Sequence, residues 1–215
     1  MRAFLVERGV EASSCTGECG FVQVDNAIEA LQRLAAYHRA QFRGTVVGIT
    51  GSNGKTVIKE WIAEELPEGM KYYRSPKSYN SQLGVPLSVL MLEGDEELAI
   101  FEAGISKPGE MERLERIIRP DAVIFTSIGD AHQENFINLE QKCDEKMILA
   151  RSASKIIYHS YYEPLGRMVA AHFADRRPVD AASYPEVPES VIGNAASRRN
   201  AQIVEAFCDA MRYPA

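Results

Sequence analysis

The residues Gly48, Gly51, Gly54, Lys55 and Thr56 fall together in the run Gly48-Ile49-Thr50-Gly51-Ser52-Asn53-Gly54-Lys55-Thr56. Glycines at this density let a backbone curl without Cβ clashes and aim successive N–H groups at one point. Such a bend suits the oxygens of a phosphate, with Lys55 reaching the terminal phosphates and the Thr56 hydroxyl able to hold Mg²⁺. The elements on either side must make the bend useful. Thr45-Val46-Val47 reads as a strand, and Val57 to Ala63 carries apolar residues at helical spacing. Strand, glycine turn and helix in that order put the positive end of a helix dipole behind the phosphates. The usual G-x-x-x-x-G-K-[ST] spacing would need a glycine at position 49, which is Ile49.

Further along, the chain alternates strands and helices. Leu98-Ala99-Ile100-Phe101-Glu102 reads as a fully buried strand with an acid near its end, and Ala122-Val123-Ile124-Phe125-Thr126 as another, followed by Gly129-Asp130-Ala131-His132-Gln133-Glu134. The expected fold class is α/β: a phosphate-loop parallel sheet with helices on both faces, whose ligands gather at the carboxyl ends of the strands. The phosphate loop, Glu102 and His132 all stand at such ends. Glu102 is a candidate Mg²⁺ ligand, because a hard cation takes carboxylate, hydroxyl and phosphate oxygens together. His132 reads either as a second metal ligand or as a substrate-orienting group, and Glu134 as its partner or as a solvated acid. On the helix from Leu139 to Arg151, Lys146 leans to the interior side, where an ammonium must snorkel, pair or lose its charge. Lys142 and Lys155 read as solvated.

At 215 residues and 46% apolar content the chain can bury one substantial core. No run reaches the roughly 20 apolar residues of a membrane span, so no membrane insertion is expected and a cytoplasmic location is the default. A net charge of −6 without a long basic run argues against nucleic acid as a partner. Cys15, Cys19, Cys143 and Cys208 lack a zinc-type spacing and are expected as reduced thiols. Asp25 or Asn26 can cap a helix whose apolar stripe is Ile28, Leu31, Leu34, Ala35 and His38, the last a packed or capping histidine. Asn80 to Leu92 reads as helical once it opens. Residues 161–188 show no clear period beyond a helix near Leu165 to Phe173, and Asn194 caps a last helix with Ile203, Val204, Phe207 and Met211 inward.

These motifs together resemble the central domain of the Mur ligases. The resemblance rests on the loop Thr50 to Thr56; on Asn80-Ser81 with Gly84-Val85-Pro86; on Glu102-Ala103-Gly104 to Gly109-Glu110; on Gly129, Ala131, His132, Glu134 and Phe136; and on Lys146, fourteen residues after His132. Within the family, the lead-in from Val24 to Arg39 and the spacing around Glu102 most resemble the branch that joins D-alanyl-D-alanine to a UDP-linked muramoyl tripeptide. The resemblance implies an ADP-forming amide ligase of peptidoglycan precursor synthesis. ATP would phosphorylate the terminal carboxylate of the tripeptide, and the amine of D-alanyl-D-alanine would attack the acyl phosphate. It further implies that Thr50, Gly51, Ser52, Asn53, Gly54, Lys55 and Thr56 hold the nucleotide, with Asn200 near adenine and Asn80 and Ser81 near the reacting carboxylate. Thr56 and Glu102 would hold one Mg²⁺ and His132 a second, with Lys146 carbamylated so that its new carboxylate joins that second ion. Lys55, His132 and Lys146 are thus the catalytic candidates. The resemblance places residues 1–24 as the remnant of an amino-terminal UDP-binding domain and 25–215 as an abbreviated central ATP-binding domain. A carboxyl-terminal domain is not expected, so the piece is expected to bind nucleotide without ligating. Another Mur-type ligase, such as folylpolyglutamate synthase, and a catalytically silent nucleotide-binding module stay open as alternatives.

Overall fold

A computed structural model describes residues 2–9, 18–129 and 133–213. Strands β1 (Arg2–Glu7) and β2 (Cys19–Val24) pair in parallel as a two-stranded sheet of their own, with Phe4 stacked on Phe21 at 5.5 Å. Cys19 is disulfide-bonded, contrary to the expectation of four reduced thiols, whereas Cys143 and Cys208 are free and buried. Spacing and compartment, on which that expectation rests, do not fix which thiols the tertiary structure brings together.

Asn26 caps helix α1 (Ala27–Arg39), its side-chain oxygen accepting the Glu29 N–H at 2.9 Å. The expected inward stripe is only partly right, since Ile28 and Leu34 are each almost half exposed. The helix is instead rotated so that buried Arg39 donates to the carbonyls of Ile118 and Arg119, at 2.8 and 3.0 Å, and His38 bonds the Leu92 carbonyl. Leu34 turns toward the β1–β2 sheet, lining a groove with Phe4, Leu5 and Val22.

The main body is one six-stranded sheet. Its strands are β3 (Thr45–Thr50), β4 (Tyr72–Arg74), β5 (Leu98–Ala103), β6 (Ala122–Phe125), β7 (Lys155–Tyr158) and β8 (Val179–Asp180), in the spatial order β4-β5-β3-β6-β7-β8 and all parallel. The crossovers carry α2 (Lys55–Glu64), α3 (Gly84–Val89), α4 (Glu110–Ile118), α5 (Leu139–Met147) and α6 (Leu165–His172), and α7 (Ala195–Met211) closes the chain. Alternate residues of each strand supply opposite faces. Phe101 and Phe125 pack with Met111, Leu114 and Leu149 on one side, while Ile49 and Ile124 pack with Ile58, Ile62, Ile203 and Phe207 on the other. Every residue of β5 is buried, Glu102 included.

Helix α3 is shorter than expected, because turns occupy the residues before Gly84 and the Ser81 hydroxyl accepts the Gly84 N–H at 3.1 Å. Strand β8 escaped notice for a simple reason: two residues carry no periodicity. Among the described residues no helix is long and apolar enough to cross a membrane.

Candidate active site

Strand β3 lies between β5 and β6, and Thr50 pairs with Ala103 on one side and Phe125 on the other. The three carboxyl ends therefore meet where the phosphate loop begins. Gly51 and Gly54 have φ of +150° and +86°, and a Cβ on Gly51 would stand 1.8 Å from the Thr126 hydroxyl. The loop is stitched to the segment after β6. The Ser52 N–H donates to the Ser127 carbonyl at 2.7 Å, and the Thr126 hydroxyl donates to the Asn53 carbonyl at 2.6 Å. The Ser52 hydroxyl bonds both the N–H and the carbonyl of Gly129. The bend is thus held by its neighbour rather than by its own residues alone. The Thr50 hydroxyl is buried and finds no hydrogen-bond partner among the described residues.

Lys55 curls over the loop, its ammonium donating to the carbonyls of Gly51 at 2.7 Å and Ser52 at 3.3 Å. Burial lowers its pKa, and Glu102 opposes that shift. Thr56, one residue on, donates its hydroxyl to both oxygens of Glu102, at 2.9 and 3.1 Å. A hydroxyl and a carboxylate side by side at a phosphate loop are a hard-oxygen donor set that fits Mg²⁺. Among the described residues no three His, Cys, Asp or Glu gather to hold a metal unaided, so phosphate oxygens would have to complete the coordination.

Lys146 is buried on α5, and its ammonium reaches the same Gly51 carbonyl at 3.2 Å. Desolvation foremost, then the nearby charges of Lys55 and Lys142, bring its pKa down to about 7. The expected inward lysine is therefore where the helix period put it. Lys142 is a correction. It is buried, not solvated, with its ammonium donating to the Gly129 carbonyl at 2.5 Å and standing 5.8 Å from the Phe136 ring centroid. One turn of helix before Lys146 brings it to the same face.

A cleft of about 360 Å³ opens over these groups, walled by Gly51, Lys55, Asn80, Ser81, Gly104 and Lys146. The Asn80 carbonyl accepts the Gly104 N–H at 2.7 Å, which fixes this residue against the end of β5. Asn200, largely buried on α7, packs against Gly54 from the far side, where a Cβ on Gly54 would come within 3.0 Å of its amide oxygen. His132 lies outside the described residues; Glu134 follows in a short 3₁₀ turn, Gln133–Asn135, with its side chain exposed.

The sequence matches the Mur ligase middle domain over residues 49–184, more than half of the chain. The chain belongs to that family. Curated Mur ligase relatives include the UDP-N-acetylmuramoyl-tripeptide:D-alanyl-D-alanine ligases of Borreliella burgdorferi and Bacillus subtilis. The first is 37% identical over a match spanning 66% of this chain and 34% of its own length; for the second the figures are 34%, 59% and 28%. This chain thus spans about a third of the length of those relatives. The crystal structure of MurF ligase from Thermotoga maritima in complex with ADP shares the fold, with a TM-score of 0.81 over 99% of this chain and 55% of that one, at 22% identity.

As a Mur ligase middle domain, the site holds one group that reasoning from sequence passed over. Lys59 is fully buried on α2 and ion-pairs Glu102 at 2.9 Å. A signal was available. Lys59 follows Lys55 by four residues and Thr56 by three, so it shares their helix face, next to inward Ile58 and Ile62. The stitching by Thr126, Ser127 and Gly129 had no such signal, since it joins residues more than seventy apart.

Proposed function

We propose that this chain carries the phosphoryl-transfer site of an ATP-dependent amide ligase of peptidoglycan precursor synthesis. The reaction joins D-alanyl-D-alanine to UDP-N-acetylmuramoyl tripeptide through an acyl phosphate, giving ADP and phosphate. The observation that carries the phosphoryl-transfer part is the meeting of Lys55 and Lys146 on the Gly51 carbonyl beside the Thr56–Glu102 pair. The names of the curated relatives support the substrates. A carboxylate is a poor electrophile until its oxide is replaced by a phosphate leaving group, and moving that phosphoryl requires clamped charge.

In this reading the loop from Thr50 to Thr56 cradles the phosphates with backbone N–H groups. Lys55 leaves its two carbonyls to bind the phosphoryl oxygens. Asn80 and Ser81 face the acceptor carboxylate across the cleft, and Asn200 lines the nucleoside side of Gly54. Thr56 and Glu102 would hold Mg²⁺, which when bound neutralises charge developing on the phosphates. A second Mg²⁺ is assigned to His132 and Lys146. Lys146 bears the further chemistry: its lowered pKa leaves much of the amine neutral near pH 7, and a neutral amine adds carbon dioxide to become a carbamate, with release of a proton. Residues 1–24 belong, on this reading, to a UDP-binding unit and 25–215 to the ATP-binding unit.

Calorimetry with ADP and Mg²⁺ tests the site. We expect binding that Lys55→Ala weakens by about tenfold or more, the size of one lost charge-assisted phosphate contact. Equal affinity in the two proteins refutes the reading. Phosphate release with muramoyl tripeptide and D-alanyl-D-alanine, each omitted in turn, then tests the expectation that this piece does not ligate by itself: release that needs both substrates overturns that expectation and establishes the substrates.

A further inference from the structure

Lys59 makes no contact with the cleft, yet it is a fully buried ammonium in direct contact with the acid of the site. Its three N–H donors are all spent: on Glu102 Oε1 at 2.9 Å, on the Ser75 carbonyl at 2.7 Å and on the Lys77 carbonyl at 2.6 Å. Glu60, its neighbour in sequence, stands farther off at 3.5 Å and is shared with Arg74. The two carbonyls belong to the loop that leaves β4 and leads to Asn80 and Ser81. Two neutral acceptors from one loop hold the ammonium in place whatever Glu102 does. This arrangement differs from that of Lys55, which rests on carbonyls of the bend itself and is free to exchange them for phosphate.

We propose that Lys59 is a positioning residue, a built-in counter-cation that holds one oxygen of Glu102 and cancels the acid's charge, so that a nucleotide's phosphates can enter without a divalent cation. The proposal rests on the nucleotide-site reading above. The physical reason is repulsion. A buried carboxylate facing phosphate anions raises their free energy steeply where the effective dielectric is low, and a cation 2.9 Å from that carboxylate removes most of the effect. By linkage, deleting the cation must penalise metal-free nucleotide more than it penalises the metal complex, because Mg²⁺ would then supply the missing charge.

The experiment is calorimetric titration with ADP, once in excess chelator and once in excess Mg²⁺, and its readout is the ratio of the two dissociation constants. In the unmodified protein we expect metal-free ADP to bind within about thirtyfold of the Mg²⁺ complex. In Lys59→Met the ratio is expected to rise by about tenfold or more, and in Lys59→Arg, which keeps the charge, to stay near the starting value. A purely structural lysine would weaken both titrations alike, so an unchanged ratio in Lys59→Met, with ADP still bound, overturns the proposal. Should that variant fail to fold, the unmodified protein decides alone: a ratio above about thirtyfold also overturns it. If the unmodified protein binds ADP under neither condition, the nucleotide-site reading fails first, and that result is distinct from the other two.

Discussion

Lys146 offers a measurement that needs no ligand. The residue is 2% exposed, and its pKa falls from an ordinary 10.5 to about 7. The unfolded chain, with the ordinary value, binds the proton across that whole interval, whereas the folded chain releases it, so stability rises with pH between about 7 and 10.5. Below pH 7 the folded protein carries the full cost of a charged, buried amine, about 5 kcal/mol. At pH 9 about 2 kcal/mol of that cost is left. The perturbation is Lys146→Met, which keeps the stem and discards the charge. The assay is urea unfolding in buffers depleted of carbon dioxide, at pH 6.5 and at pH 9, for both proteins. The variant should be the more stable at pH 6.5, and its advantage should shrink by about 2 to 3 kcal/mol at pH 9. Comparing the two proteins cancels the titration of groups they share. An advantage that does not change with pH would refute the claim that the folded protein holds this amine neutral, and with it the reason given for carbamate formation. Under ¹³C-labelled bicarbonate the unmodified protein should in turn show a carbamate carbon signal that Lys146→Met lacks.

Other outcomes follow from single contacts. Gly51→Ala places a Cβ 1.8 Å from the Thr126 hydroxyl, so it should cost about 2 to 4 kcal/mol in thermal or urea unfolding, and pairing it with Thr126→Gly should recover part of that loss. The Cys143 thiol, pushed up to about 12 chiefly by burial, should stay unreactive toward a thiol reagent at pH 8 in the folded protein and react promptly in urea. Arg39→Ala leaves the carbonyls of Ile118 and Arg119 without their donor and should lower stability by about 2 kcal/mol without changing ADP affinity. Asn200→Ala should weaken ADP while leaving inorganic triphosphate unaffected, since Asn200 packs against Gly54 and the proposed function assigns it to the nucleoside.

Much of this protein was legible before any coordinate. The strand, glycine bend and helix around Lys55 are local, each dictated by residues within a few positions, and so are the buried strand ending at Glu102 and the inward lean of Lys146 on a 3.6-residue period. The parallel order of the sheet follows from alternation of such elements, since right-handed crossovers leave few other arrangements. What only the tertiary structure decided is which charges meet. That Lys59 rather than solvent faces Glu102, that Lys142 turns inward to Gly129, and that Thr126 and Ser127 hold the phosphate bend are contacts between residues far apart in the chain. Helical spacing can say that a lysine points inward, but not which partner awaits it. For a buried charge the partner decides the outcome: Lys59 packs against the Glu102 carboxylate at 2.9 Å, whereas Lys146, desolvated and near Lys55 and Lys142, is driven toward neutrality.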